Sequence, residues 1–273
     1  MNLGFKLFVA KNTLMGTLFP AKAAESAKAL FLTPRSYPLK NWESEIERSA
    51  QRITLSNGLS ALRWGQSGPK ILLVHGWESR ATQMAGFVDK LVDAGYQVIA
   101  LDAPAHGQSP GKQANPYLFA QAVLQTNAEL GPFDAIIGHS MGGSAVAIAL
   151  AEGVETNKTV LISSPSSIES VLNRFARFIG LPDKSRALFV SMVEQTVGRS
   201  AKSLEIASLI QNNSSQGLVI HDEQDLEIPF DDAKAITQKW QGANLLATQG
   251  FGHRAILRQD SVWQSIIGFL HRT

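Results

Sequence analysis

Ala135-Ile136-Ile137-Gly138-His139-Ser140-Met141-Gly142-Gly143-Ser144-Ala145-Val146-Ala147-Ile148-Ala149-Leu150 decides the fold. Its first part is a short, wholly apolar run that suits a strand covered on both faces, and its last part is helix-forming and rich in small residues. Between them stands Gly138-x-Ser140-x-Gly142. A serine exposed on a sharp strand-to-helix turn sits in strained backbone, and glycines two residues to either side leave room for neighbouring chain. Ser140 is therefore a candidate nucleophile. The helix that follows points its first N–H groups at the same place, which makes the Met141 amide a candidate donor to a developing oxyanion.

Working outward, the same grammar repeats. Ile71-Leu72-Leu73-Val74, Val98-Ile99-Ala100-Leu101, Thr159-Val160-Leu161-Ile162, Leu218-Val219-Ile220 and Asn244-Leu245-Leu246 read as further strands. Helical stretches are predicted between them, near 81–94, 115–130, 140–152 and 231–240, with a last helix from about Gln259. Strands alternating with helices predict a doubly wound, mostly parallel sheet. Upstream, Ile53–Trp64 reads as two antiparallel strands around Asn57-Gly58, a dipeptide suited to a tight hairpin. Residues 165–215 break the rhythm, and their apolar residues recur at helical spacing, so they predict an inserted helical cap. The expected organisation is an N-terminal helical extension over 1–45, a core over 46–164 and 216–273, and the cap over 165–215.

A serine hydroxyl needs a base within hydrogen-bond reach, and the base needs a partner to fix its tautomer. His253, in a predicted flexible loop Gly250-Phe251-Gly252-His253, is the candidate base. Asp225, after the strand ending at Asp222, is the candidate acid, with Asp222 and Glu223 as rivals. All three chemical residues leave the C-terminal ends of strands, where open α/β sheets put their sites.

Taken together, GHSMGG, the His75-Gly76-Trp77 turn after the first parallel strand, and the order Ser140, Asp225, His253 resemble the α/β-hydrolase family from about Ile53 to the end, most of the cap excepted. That resemblance implies a second oxyanion donor at the Trp77 amide, a structural role for His75 in holding its loop, and a loop Asp102-x-x-x-x-Gly107-x-Ser109 in which Ala105 replaces the family's first glycine. His75, His139, Phe175 and Phe178 are the candidates for lining the substrate site. Serine at 140 separates this chain from the haloalkane dehalogenases and epoxide hydrolases of the same fold, which carry aspartate there. The implied activity is hydrolysis of a carboxylic ester or thioester through an acyl-enzyme. A lipolytic enzyme, a carbon–carbon bond hydrolase or a non-catalytic binding module are the alternatives.

Composition narrows the partners. The 273 residues are 44% hydrophobic and 18% charged, with a net charge of +2 and no dense basic run, which argues against nucleic acid as a partner. Cysteine is absent, which excludes disulfides and thiolate ligands and leans toward a cytoplasmic location. The six histidines include no H-E-x-x-H pair, and neither a phosphate loop nor a dinucleotide-binding glycine pattern is present, so no metal or cofactor is expected. Leu172, Ile179, Leu181, Leu188, Phe189, Met192 and Val193 join Phe175 and Phe178 as apolar cap residues that either line an acyl pocket or pack the cap. Arg174, Arg177, Lys184 and Arg186 form a solvated face or meet an anionic group. At the N-terminus, Leu3, Leu7, Phe8, Leu14, Met15 and Leu18 predict a helix with one apolar stripe, docked on the domain, lying on a membrane surface or a partner, or serving as an export signal.

Overall fold

A computed structural model describes Leu3–Arg272; Met1 and Asn2 of the expected extension and Thr273 of the expected core lie outside the described residues. The chain forms two compact units, one from Pro34–Ser166 with the chain from Ile206 onward, the other from the residues up to Thr33 with Ser167–Glu205.

The larger unit is built on eight strands: β1 (Gln51–Thr54), β2 (Ser60–Trp64), β3 (Lys70–Val74), β4 (Gln97–Asp102), β5 (Ala135–His139), β6 (Lys158–Ile162), β7 (Gln216–Asp222) and β8 (Ala243–Thr248). They lie in the order β1-β2-β4-β3-β5-β6-β7-β8. The β1–β2 and β2–β4 pairs are antiparallel and the rest are parallel. The predicted fold class is observed strand for strand. Ile71, Leu73, Ile137, Val160 and Ile220 point to one face and join the helices Ala81–Met84, Val88–Asp93 and Asp260–Leu270 in a core where Phe87 stacks on Trp263. Their neighbours Leu72, Ile99, Ile136, Leu161 and Val219 are equally buried and take the other face by the two-residue period of a strand. Here the helices Met141–Ala151 and Phe230–Lys239 cover the sheet.

Helix Met141–Ala151 is buried from Gly142 to Leu150. Its small residues let it approach the sheet: a Cβ on Gly142 would lie 2.3 Å from the Val74 carbonyl oxygen. The single helix predicted over 81–94 is two short ones, because Gly86 is a poor helix former and Phe87 turns inward to Trp263. A helix over Asn41–Ser49 straddles the expected boundary at residue 45.

In the smaller unit, helices Leu3–Leu18 and Pro20–Leu32 pack with Ile168–Phe178 and Asp183–Val197. The predicted extension and cap are thus one body, while residues 34–45 go with the sheet. The reason is local fit: a Cβ on Gly16 would lie 2.5 Å from Pro182, and Ser185 Oγ donates to the Gly16 carbonyl at 2.7 Å. Asn12 Nδ2 donates to the Ile179 carbonyl, and Phe31 meets Phe175 and Phe189 edge to face. The face of Leu3–Leu18 that packs is therefore that of Phe5, Val9, Asn12 and Gly16. Five of the six residues of the expected docking stripe (Leu3, Leu7, Phe8, Leu14 and Leu18) are exposed, and Met15 is half-buried. A rigid glycine seat decided the contact, not the larger leucines.

Candidate active site

Ser140 follows β5 at φ 53° and ψ −124°, a conformation that side chains rarely adopt. It is held there from both sides. Its amide donates to the Ile162 carbonyl at the end of β6, at 2.8 Å, and its carbonyl accepts from Gly143 at 2.9 Å. The turn after β3 presses on it so closely that a Cβ on Gly76 would stand 2.9 Å from Ser140 Cβ. Strain of this kind, over-determined by packing, is how a hydroxyl is presented rather than folded away.

His253 Nε2 lies 2.9 Å from Ser140 Oγ, and its Nδ1 lies 2.7 Å from Asp225 Oδ2. A carboxylate only accepts, so the imidazole proton belongs on Nδ1 and Nε2 is left as an acceptor facing the Ser140 hydroxyl. Asp225 is buried; its Oδ1 accepts from the Glu227 and Ile228 amides at 2.8 and 2.9 Å. Burial pushes its carboxyl up, but hydrogen bonds from His221 and His253 and from the Ile228 amide outweigh burial and hold it well below the usual carboxylate range. His221, whose Nε2 is 3.0 Å from the Ile228 carbonyl and 3.4 Å from Asp225 Oδ2, was not identified from sequence.

The rival Asp222 is used elsewhere. Its carboxylate accepts from the Gln224 amide, the Thr248 hydroxyl and the Phe251 amide, at 2.8–3.0 Å, and so anchors the turn that carries His253. That turn is not a flexible loop but one helical turn, Gly252–Ala255, entered through Gly250 and Gly252 at φ 82° and 65°. Left-handed backbone of this kind is open to glycine without strain.

The proposed lining residues separate. His75 is fully buried, its Nδ1–H donating to the Gly76 carbonyl at 2.7 Å while Nε2 accepts from the Ala103 amide at 3.0 Å. Both bonds tie it to backbone near its own turn, and it does not line the cavity. His139 borders the cavity from a buried position and donates Nε2–H to the His253 carbonyl at 2.8 Å. Phe175 and Phe178 belong to the helical unit, where Phe175 packs on Phe31 and Phe189, and Phe178, 64% exposed, on Phe5.

A cavity of about 280 Å3 opens over Ser140, bordered by Trp77, Trp42, Tyr37, His253, Arg254 and Arg258. Trp77 is steadied by the edge of His106 at 5.6 Å, and His106 Nε2 accepts the Glu78 amide at 3.0 Å. Segment Arg35–Glu43 walls one side: Arg35 grips Glu78 through two 2.8 Å bonds, and burial of the Glu78 carboxyl is outweighed by these bonds, so it titrates below its usual range. Beneath, the wholly buried Glu43 accepts from Thr82 Oγ1 at 2.8 Å and faces Arg80 at 3.7 Å. Opposite, Glu227 pairs with Arg254 at 3.0 Å and comes within 3.9 Å of His253 Nε2. No motif or periodicity marks these wall residues; Trp42, an aromatic among charges, was the only hint. No three His, Cys, Asp or Glu among the described residues are grouped so as to hold a metal ion.

Residues 71–255 match the model described as the alpha/beta hydrolase family. A 2-hydroxy-6-oxononadienedioate/2-hydroxy-6-oxononatrienedioate hydrolase of Escherichia coli is 26% identical over 260 residues, covering 76% of this chain and 89% of that protein. An esterase of Mycobacterium tuberculosis is 28% identical over 131 residues, 46% of this chain and 41% of its own length. The chain thus spans under half the length of the first curated relatives it matches. Among solved structures, a membrane phospholipase A superposes with a TM-score of 0.65 at 16% identity, covering 99% of this chain and 98% of that one, a likeness of fold alone.

Proposed function

The chain belongs to the alpha/beta hydrolase family, and from that premise we propose that it is a serine hydrolase cleaving a carboxylic ester or thioester through an acyl-enzyme. The observation that carries this reading is the continuous relay of Ser140 Oγ, His253 and Asp225 at 2.9 and 2.7 Å on a strained turn. Ser140 Oγ attacks the acyl carbonyl as its proton passes to His253 Nε2, and Asp225 stabilises the imidazolium. The amides of Met141 and Trp77 receive the oxyanion. Collapse expels the alcohol or thiol, which takes the proton from Nε2. Water, deprotonated by His253, then releases the acid and restores Ser140.

The test is turnover of p-nitrophenyl esters of increasing acyl length, and of acyl-CoA thioesters, by the native chain and by Ser140→Ala. Turnover is expected from the native chain alone, with a fluorophosphonate probe labelling Ser140. Silence on every substrate without labelling would overturn the proposal in favour of a binding module of this fold. The likeness to the Escherichia coli hydrolase favours one second reading, hydrolysis of a carbon–carbon bond in an anionic dienoate, which Arg258 at the cavity would suit. Turnover of such a dienoate by a chain silent on esters would select it.

A further inference from the structure

Leu3, Leu7, Leu14 and Leu18 are 73%, 63%, 60% and 59% exposed. At 3.6 residues per turn they fall within an arc of about 60° on the helix Leu3–Leu18. The opposite arc, of Phe5, Val9, Asn12 and Gly16, is the one seated on Pro182 and Ile179. This helix is thus apolar on two faces and has used only one. Side-chain geometry sets Lys6 and Lys11 on the two flanks of the leucine arc, and the first acidic residue of the chain is Glu25. The helical unit carries ten Lys and Arg against five Asp and Glu, although the whole chain is nearly neutral.

We propose that this leucine face lies on an anionic lipid surface, with Lys6 and Lys11 at the level of the headgroups. Contiguous exposed apolar residues mark an interaction site. A leucine face rimmed by lysines, with no carboxylate, matches the acyl boundary below and the phosphates above. Two alternatives fit less well. A second copy docked by two-fold symmetry would set lysine against lysine with no carboxylate on the helix to pair them. Crossing the membrane is a different matter: no helix among the described residues is long and apolar enough for it.

Flotation of the full chain with vesicles tests this, and its readout is independent of the hydrolase reading. The native chain is expected to float with phosphatidylcholine vesicles containing phosphatidylglycerol, and less with phosphatidylcholine alone. Leu7→Gln/Leu14→Gln/Leu18→Gln is expected to lower partitioning about tenfold or more with unchanged circular dichroism. Lys6→Glu/Lys11→Glu is expected to abolish only the preference for the anionic vesicles, and it decides the matter if the leucine variant does not fold. A native chain that stays below both vesicles, or a folded leucine variant that floats as well as the native chain, overturns the proposal. So does a native dimer that the leucine substitutions dissociate.

Discussion

The imidazole of His139, the residue just before Ser140, donates Nε2–H to the backbone carbonyl of His253 at 2.8 Å. One bond thereby ties the turn that carries Ser140 to the turn that carries His253. His139→Ala is expected to lower kcat about 10–100-fold with little change in KM, since small misplacements of reacting groups are costly. His139→Gln, which keeps a donor, is expected to recover part of the loss. Equal KM and kcat effects in both variants would assign His139 to packing alone.

The same residue sets a pH dependence. Burial, then the neighbouring His253, lowers His139 from its ordinary 6.5 to about 3. Between those values the unfolded chain binds a proton that the folded chain refuses, so stability falls as pH drops from about 6.5 toward 3, by on the order of a few kcal/mol. Buried His75, also lowered well below its ordinary value, acts in the same direction. Urea midpoints at pH 7, 5 and 4 should decline for the native chain and decline less steeply for His139→Gln.

Asp225 and Asp222 should separate cleanly. Asp225→Asn removes the acceptor that keeps the His253 proton on Nδ1, and kcat is expected to fall about 10³–10⁴-fold with the fold intact. Asp222→Asn weakens the hold on the Thr248 hydroxyl and the Phe251 amide, and its main effect is expected on the melting temperature. The reverse outcome would exchange their roles.

Ala105, standing where the family has glycine, takes φ 61°. The left-handed conformation costs a non-glycine residue about 1–2 kcal/mol, and the entropy that glycine adds to the unfolded chain recovers only about 0.4–1 kcal/mol of that. Ala105→Gly is therefore expected to raise stability by about 0.5 kcal/mol, measured by denaturant unfolding, without altering turnover.

Glu43 is wholly buried opposite Arg80, which is itself 14% exposed at the side chain. Glu43→Ala leaves that guanidinium without its carboxylate and strands the Thr82 hydroxyl, and is expected to cost about 3–5 kcal/mol. Glu43→Gln, which keeps an acceptor for Thr82, should cost less. A melting curve of each variant decides whether the wall of the cavity rests on this pair.

From the sequence alone came what depends on near neighbours in the chain: the alternation of apolar strands and helices, the glycines around Ser140, and the positions of His253 and Asp225 just past strand ends. These features follow from periods of two and 3.6 residues and from local backbone freedom. Tertiary structure alone decided what depends on distant chain meeting. It set β4 between β2 and β3, and it gave Asp225 and Asp222 different partners, His253 for the one and the Thr248 hydroxyl and Phe251 amide for the other. The wall over Arg35–Glu43 is stabilised by Glu78, Thr82 and Arg80, about forty residues away. The first helix turned its leucines outward because close fit at Gly16, not the size of the apolar stripe, chose the buried face.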